Sequence, residues 1–236
     1  KWGPDGWMYG RHGILNTSTV GPPGASAEER THVECGIWRY HPLRKVFEKV
    51  NYGMTNPWGM DWDENGEMFL SGNVNGHLWH SVPGARYVRM HGADELPNTY
   101  QTIKMIGERP HYEGTGNWKS DWNNREHGRD SANELGGGHS HCGAMIYLGD
   151  NWPEAYRGDM FMCNTHGARV NRDRISRSGP GYKGTYLNDF LKSNTPWFKG
   201  VTLLYGPDGT VFLSDWCDFG ECHDSDGVHR TSGRIY

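Results

Sequence analysis

Hydrophobic and polar positions form a pattern that occurs four times along the chain. Each copy has an apolar run, a tight turn, and a second apolar run that ends in polar residues rich in His and Asp. The clearest copies are residues 59–73, with a turn at Asn65-Gly66, and residues 201–215, with a turn at Asp208-Gly209. A looser copy covers residues 143–164, and the chain begins within a fourth at residues 3–10. Asn-Gly or Asp-Gly between two apolar runs predicts a β-hairpin, because the turn needs residues with φ > 0.

Hairpins that recur at long intervals predict an all-β chain, and specifically a β-propeller in which each copy supplies the two inner strands of a blade. We expect about four blades, which form a partial ring if the parent protein has six or seven. Residues 1–236 are interpreted as one propeller domain or a segment of one, with long irregular insertions near 17–31 and 107–138. Candidate outer strands are Gly36–Tyr40, Val46–Val50, His77–His80, Tyr87–Met90 and Arg169–Asn171.

Composition narrows the class of protein. The net charge of −4 gives no electrostatic reason to expect a nucleic-acid partner. No stretch approaches the ~18–20 apolar residues of a membrane-spanning helix. The chain starts at Lys1, without Met and inside a hairpin. We therefore interpret it as a segment of a longer or processed protein, with any targeting signal outside it.

The polar ends of the repeats are expected to meet at one mouth of the propeller, where they would form a shared site. In particular, His12, His77, His141 and His166 are expected to share one cleft, as general base, metal ligand or donor to an anionic cofactor. The candidate catalytic residues are His141, His139 and His166, and the candidate cofactor-binding residues are His12, Asn75, His77, Arg169 and Asn171.

Two segments carry possible metal or haem chemistry. His139 and His141 have a His-x-His spacing that permits chelation of one ion if the segment is extended. Residues 215–227 are dense in oxygen ligands of the kind that Ca²⁺ prefers, although a solvated acidic loop is the more common meaning of such a segment. The candidate Ca²⁺ ligands are Asp215, Asp218, Glu221, His223 and Asp224.

The five cysteines are an odd number, which argues against a complete disulfide framework. Cys217 and Cys222 are close enough in sequence to pair in an oxidising compartment. Together with His223 they also permit a c-type haem attachment, although four intervening residues is an unusual spacing. Cys142 and Cys163 lie beside predicted inner strands and are expected to be buried free thiols.

Several longer motifs carry a resemblance to a known family. The chain resembles the propeller domain of the planctomycete-type membrane-bound dehydrogenase proteins over nearly its whole length. It is more distantly similar to sorbosone and glucose dehydrogenases that use pyrroloquinoline quinone (PQQ) and Ca²⁺. The motifs are residues 36–42, 56–59, 77–85, 139–147, 164–173, 205–209 and 230–236.

The resemblance implies a periplasmic or extracellular propeller that oxidises a sugar or alcohol and passes electrons to a c-type cytochrome or to a haem domain of the parent protein. By position, His141 or His139 would be the base that takes the hydroxyl proton, and Arg169 would hold the anionic quinone. Two other functions stay open at this point. One is a non-catalytic propeller scaffold that binds glycan or protein, and the other is an electron-transfer subunit with haem at Cys217 and Cys222.

Overall fold

A computed structural model describes residues 1–93, 95, 101–107, 109, 136–138, 140–220, 229 and 231–236. Within these residues the chain is almost entirely β-structure, with a single 3₁₀ turn at Glu154–Tyr156. The strands, in chain order, are β1 (Met8–Arg11), β2 (Thr17–Val20), β3 (Thr31–Glu34), β4 (Ile37–His41), β5 (Val46–Lys49), β6 (Tyr52–Gly53), β7 (Asn56–Trp62), β8 (Met68–Asn73), β9 (Leu78–Ser81), β10 (Arg86–Tyr87), β11 (His141–Ile146), β12 (Asp159–Asn164), β13 (Arg169–Ser178), β14 (Gly181–Tyr186), β15 (Leu191–Lys192), β16 (Gly200–Tyr205), β17 (Val211–Asp215) and β18 (Arg234–Ile235).

Four antiparallel sheets follow one another along the chain as the blades of a partial β-propeller, which confirms the predicted fold. Blade 1 is β1-β4-β5, blade 2 is β7-β8-β9, blade 3 is β11-β12-β13-β14 with β15 beside β13, and blade 4 is β16-β17-β18. In the described part of the chain, blade 3 alone has the expected four-stranded order. The inner strand β11 packs between β7 of blade 2 and β16 of blade 4.

The predicted hairpin turns are present in blades 2 and 4. Gly66 joins β7 to β8 with φ of 80°, and Gly209 joins β16 to β17 with φ of 79°. In the first turn the Asp63 carboxylate accepts hydrogen bonds from the backbone N–H groups of Asn65 and Glu67, both at 2.9 Å. The predicted turns therefore form as the sequence indicated, with glycine at the positions of positive φ and an aspartate side chain bonded to the backbone.

Side chains alternate between the two faces of each blade and fill the spaces between neighbouring blades. On β12, Phe161 and Cys163 pack toward blade 4, whereas Met160 and Met162 pack toward blade 2. The same period of two places Phe69 of β8 against blade 3. Continuous apolar runs on inner strands are thus explained by burial on both faces.

Two predictions about outer segments need correction. Residues 17–31 are not wholly irregular, because β2 pairs with β3 as an antiparallel hairpin. The expected outer strand Tyr87–Met90 is reduced to Arg86–Tyr87, which pairs in parallel with β6. Beyond it, the Met90 N–H donates to Thr55 Oγ1 at 3.1 Å, so the chain leaves the sheet.

No helix among the described residues is long and apolar enough to cross a membrane.

Candidate functional site

The strand ends that were expected to meet do lie at one face, called here the mouth. The first residue of each inner strand pairs with the last residue of the next strand, as Asn56 with Asn73, His141 with Asn164, and Gly200 with Asp215. In all three blades the register shifts within the first few residues of the inner strand. These bulges open the ladder at the mouth and re-aim the side chains there.

Contacts between blades make the mouth continuous. After β1, the Ile14 N–H donates to Asn56 Oδ1 at 3.3 Å, which joins blade 1 to blade 2. Strands β7 and β11 then pack together. Thr165 Oγ1, just after β12, donates to the Gly200 carbonyl at 2.9 Å and so joins blade 3 to blade 4.

Backbone strain is concentrated at this face. Seven non-glycine residues have positive φ among the described residues, and six of them lie next to strand ends at the mouth. The seventh, Lys45, lies in the β4–β5 turn at the opposite face. Val74 has φ of 78°, which is unfavourable for a β-branched residue. Such strain often accompanies functional sites because the surrounding structure must impose it. The six residues are Cys35, Met54, Val74, Ser140, Ala168 and Cys217.

A buried ionic cluster lies beneath the mouth and joins blade 2 to blade 3. His77 Nε2 contacts Asp173 Oδ2 at 2.9 Å, and the Arg109 N–H donates to His77 Nδ1 at 2.9 Å. Because Nδ1 accepts, the proton of neutral His77 is on Nε2, where it is donated to Asp173. Arg109 Nε also donates to Asp173 Oδ1 at 3.0 Å. Both ring nitrogens of His77, predicted to contact a cofactor, are thus used within the protein.

His141 is the one predicted histidine that contacts His77, with ring centroids 5.0 Å apart. Its side chain is fully buried at the start of β11. The preceding residue, Ser140, has φ of 61°, so the chain turns sharply into the strand. His166 is almost as buried, on the loop after β12. Of the four histidines predicted to share a cleft, the structure therefore brings His77 and His141 into direct contact.

His12 is held differently. Its Nδ1 accepts a hydrogen bond from the Trp38 indole N–H at 3.0 Å, and its Nε2 contacts Ser18 Oγ at 2.8 Å. Asn75, another predicted cofactor contact, hydrogen-bonds Thr55 Oγ1. As placed, both polar side chains bond to the protein rather than point to a ligand.

The predicted anion clamp is also paired inside the protein. Arg169 is fully buried, and its Nη1 donates to Asp189 Oδ2 at 2.9 Å. Asn171 donates to the other oxygen of the same carboxylate at 2.7 Å and to the Gly136 carbonyl at 3.0 Å. As placed, the Asp189 carboxylate balances the charge of Arg169, and a contact of Arg169 with a cofactor stays a prediction.

Two cysteines lie directly opposite one another beside His141. Cys142 on β11 pairs in register with Cys163 on β12, and both are buried free thiols, as predicted. A hydrogen bond from Cys163 lowers the pKa of Cys142 despite its burial. Burial raises the pKa of Cys163 well above its usual value. The pairing itself was missed, although both residues stand at the mouth ends of one predicted hairpin.

The described candidate Ca²⁺ ligands serve other purposes. Asp215 Oδ1 accepts hydrogen bonds from the N–H groups of Lys199 and Cys217, both at 2.8 Å. Asp218 accepts from Trp216 Nε1 at 3.1 Å. The other candidate Ca²⁺ ligands lie outside the described residues. Cys222 lies outside them as well, so the Cys217–Cys222 pairing and the haem attachment stay predictions. The Ca²⁺ candidates outside the described residues are Glu221, His223 and Asp224, and the candidate catalytic residue His139 lies outside them too.

A different grouping, unforeseen from sequence, has the spacing of metal ligands. Among the described residues, His32, Glu34 and Glu95 alone place three such atoms within 4.8 Å of one another. Arg89 pairs with Glu34 at 2.7 Å, and Lys49 pairs with Glu95. These cations already balance the two carboxylates, and the imidazole is largely exposed.

Two polar groups at the mouth, the guanidinium of Arg11 and the side-chain oxygen of Asn73, have no ion-pair or hydrogen-bond partner among the described residues. Arg11, at the end of β1, is exposed and makes no ion pair with the described residues. Its guanidinium still lies close enough to protein for desolvation to lower its pKa. Asn73 Oδ1, at the end of β8, is buried and has no hydrogen-bond partner in the described part of the chain. A free cation and a free acceptor can bind an anionic group and a hydroxyl, respectively.

The fold and the mouth define a β-propeller whose polar strand ends converge at one face. The chain belongs to a family described as a domain of unknown function, DUF7133, whose profile matches residues 1–220. A search of curated protein sequences finds no match.

Solved structures with a similar fold include sugar dehydrogenases. A Thermus thermophilus oxidoreductase, described as a glucose dehydrogenase, has a TM-score of 0.59 at 18% identity, with 99% of this chain and 62% of that one covered. The PQQ-bound aldose sugar dehydrogenase of Streptomyces coelicolor has a TM-score of 0.54 at 16% identity, covering 99% and 58%.

The soluble aldose sugar dehydrogenase of Escherichia coli, in its apo form, has a TM-score of 0.55 at 14% identity, covering 91% of this chain and 59% of that one. The chain thus spans roughly three fifths of the length of these proteins. At such identities the likeness concerns the fold.

Proposed function

We propose that this chain is the propeller part of a quinone-dependent dehydrogenase that oxidises a sugar or another alcohol. The observation that carries the proposal is the convergence of strand ends from four blades at one strained, polar mouth. The likeness in fold to a PQQ-bound aldose sugar dehydrogenase favours the same chemistry. PQQ, when bound, would accept the hydride that leaves the alcohol carbon.

The mouth residues fit such a ligand, although not through the residues first expected. Arg11 is an exposed cation without an ion pair among the described residues, and a guanidinium binds a carboxylate through two hydrogen bonds. The buried acceptor Asn73 Oδ1 suits a sugar hydroxyl. Arg169 and His77 would instead support the floor of the site, because their polar groups are satisfied by Asp189 and Asp173.

The base is assigned to His141, with His166 as the second candidate. Either imidazole would take the proton of the substrate hydroxyl. His77, held by its hydrogen bonds with Asp173 and the Arg109 backbone, would hold the His141 ring by direct contact. The described carboxylates Asp215 and Asp218 do not fit a Ca²⁺ site as placed, since both accept hydrogen bonds from nearby N–H groups. No role for Ca²⁺ is derived from them.

In this proposal the parent protein is periplasmic or extracellular, of the planctomycete-type membrane-bound dehydrogenase family. Its reduced quinone would pass electrons to a c-type cytochrome or to a haem domain of the same protein. The haem alternative within this chain retains only Cys217 among the described residues, and that thiol is fully buried.

A second candidate function is a propeller scaffold that binds glycan or protein without catalysis. The burial of His141 favours it, since a base must touch its substrate. The exposed indoles of Trp58 and Trp216, both near strand ends at the mouth, also favour it, because exposed aromatic rings often bind glycan or protein.

The test uses the intact parent protein with PQQ and Ca²⁺, quinone binding by absorbance titration, and dye reduction over a panel of aldoses and alcohols. Arg11→Gln should weaken quinone binding ~10–100-fold, because the amide cannot replace the charge-assisted contact of the guanidinium with a carboxylate. The matched control Arg44→Gln removes an exposed arginine from the β4–β5 turn and should change nothing.

His141→Ala should lower the rate ~10²–10⁴-fold while quinone binding is retained. The same loss in His166→Ala alone would move the assignment of the base to His166. Absence of quinone binding, or full activity in both histidine variants, would favour the scaffold.

A further inference from the structure

Two cysteines on neighbouring strands have the placement of a disulfide. Cys142 of β11 and Cys163 of β12 are direct partners in an antiparallel pair, so their side chains are on the same face of blade 3. Direct partners have Cα atoms ~4.5–5.5 Å apart, which lies within the ~4.4–6.8 Å range of disulfides. Both side chains belong to the apolar cluster between blades 3 and 4, and both are free thiols.

The backbone beside the pair is irregular in a way that eases bond formation. The register shifts immediately after Cys142, where Gly143 has φ of 59°. A bulge increases local twist and relaxes the fixed geometry of a regular ladder. A bridge can therefore form here with less distortion than in the middle of a flat sheet.

The two sulfurs have different environments. Cys163 hydrogen-bonds to Cys142, and the hydroxyl of Thr165 lies 3.2 Å from Cys142 Sγ. The nearby His166 and Arg11 side chains also lower the pKa of Cys142. Burial and the neighbouring Cys142 and Asp215 raise the pKa of Cys163. The Thr165 hydroxyl within hydrogen-bond distance of Cys142 Sγ assigns the attack to Cys142 and leaves Cys163 as the thiol that resolves it.

The geometry points to a reversible disulfide between Cys142 and Cys163, a redox site at the mouth next to His141. Hydrogen peroxide is the oxidant. The Cys142 thiolate attacks a peroxide oxygen, so that an S–O bond forms and the O–O bond breaks to give a sulfenic acid and water. Cys163 then attacks the sulfenic sulfur, the S–S bond forms, and a second water leaves. Two thiols lose two electrons and two protons, and one peroxide becomes two waters.

Oxidation should stiffen the floor of the mouth. The bridge closes a loop of ~20 residues between β11 and β12, and a loop of that size is expected to raise the Tm of the chain by ~5–10 °C. The bridge also lies between His141 and the loop that carries His166, so it holds the two candidate bases in one arrangement. This inference does not depend on the proposed activity.

The first test treats the folded intact protein with a stoichiometric amount of hydrogen peroxide, alkylates the remaining thiols, and maps peptides without reduction. We expect a cross-linked peptide pair that contains Cys142 and Cys163, while Cys35 remains alkylated. In Cys163→Ala, Cys142 should instead be trapped as a sulfenic acid by a dimedone reagent. Cys35→Ala, which removes an isolated buried thiol, is the matched control and should keep the cross-link.

The second test does not depend on whether an oxidant can reach the buried thiols of the folded protein. The protein is refolded in a glutathione buffer with excess disulfide, and the bridges are mapped at equilibrium. Selective pairing of Cys142 with Cys163, reversed by dithiothreitol together with the gain in Tm, supports the site. If both residues remain thiols after this refolding, or pair with other cysteines, the assignment is wrong.

Discussion

The buried cluster that joins blade 2 to blade 3 can be tested with one isosteric substitution, Asp173→Asn. Asp173 is almost fully buried and accepts hydrogen bonds from His77 Nε2 at 2.9 Å and Arg109 Nε at 3.0 Å. The amide keeps the shape of the side chain but removes its charge. Arg109, fully buried, then keeps its cation without the carboxylate that lies nearest to it.

The expected loss follows from removing the carboxylate of a buried ion pair. Removing one partner of a buried ion pair costs about 3–5 kcal/mol in the free energy of unfolding. Among the described residues, the next carboxylate near Arg109 is Asp189, whose Oδ1 lies 3.8 Å from Arg109 Nη1, too far for a normal hydrogen bond. For a chain of this size the loss corresponds to a fall in Tm of roughly 6–20 °C.

The same carboxylate gives the stability a defined pH dependence. Burial opposes the charged form of Asp173, but the hydrogen bond from His77 and the charge of Arg109 outweigh it and lower the pKa. A carboxyl whose pKa is lower in the folded state stabilises the fold fully above its ordinary pKa of ~3.9. That contribution is lost as the pH falls further, through the folded-state pKa. The free energy of unfolding of Asp173→Asn should therefore fall less steeply than that of wild type as the pH decreases.

The measurement is urea unfolding of wild type and variant at pH 7 and across pH 2–5. Asp150→Asn, an exposed aspartate next to the blade 3 turn, is the matched control and should stay within about 0.5 kcal/mol of wild type. Adding Arg109→Met removes the other partner of the ion pair, so the double variant should lose less than the sum of the single losses. A loss below 1 kcal/mol for Asp173→Asn, or strict additivity, would refute the ion-pair argument.

Two further predictions concern packing between blades. Gly143→Ala should destabilise by about 2–4 kcal/mol in urea unfolding, because φ is 59° and a Cβ would lie 2.3 Å from the Val201 carbonyl oxygen. Gly158→Ala has a similar φ and open space, so a loss as large there would refute the steric part of the argument. Phe69→Ala, between blades 2 and 3, should cost about 3–5 kcal/mol, whereas Phe212→Ala, nearly half exposed, should cost much less; equal losses would contradict the assigned burial.

The fold could be predicted from the sequence because its signals are local. Asn65-Gly66 and Asp208-Gly209 fix turns through their own backbone preferences, and the apolar runs on either side pair across those turns. The convergence of strand ends followed from the architecture alone. The outer strand of blade 2 was predicted near its observed position, whereas the short third strand of blade 4 and strand β6 carry no comparable local signal and were not foreseen.

The pairing of polar residues could not be predicted, because it joins positions far apart in the chain. His77 and Asp173 are 96 residues apart, and Arg109 lies in a segment without periodicity. From sequence, His77 and Arg169 are polar residues at strand ends, the same description that fits Arg11. Which of them bonds to the protein and which stays free depends on carboxylates such as Asp189 that only the folded chain brings near.

Polar residues at the mouth differ in whether their side chains bond to the protein. They therefore form two layers with separable roles. The lower layer, His77, Asp173 and Arg109, is buried and satisfied by its own hydrogen bonds, so its loss must first affect stability. Arg11 and Asn73 form the upper layer and keep binding capacity that the described protein does not use. Substitutions in the upper layer should therefore change ligand affinity at constant stability. Substitutions in the lower layer should change both together, because a ligand held at the mouth rests on groups whose positions the ion pairs fix.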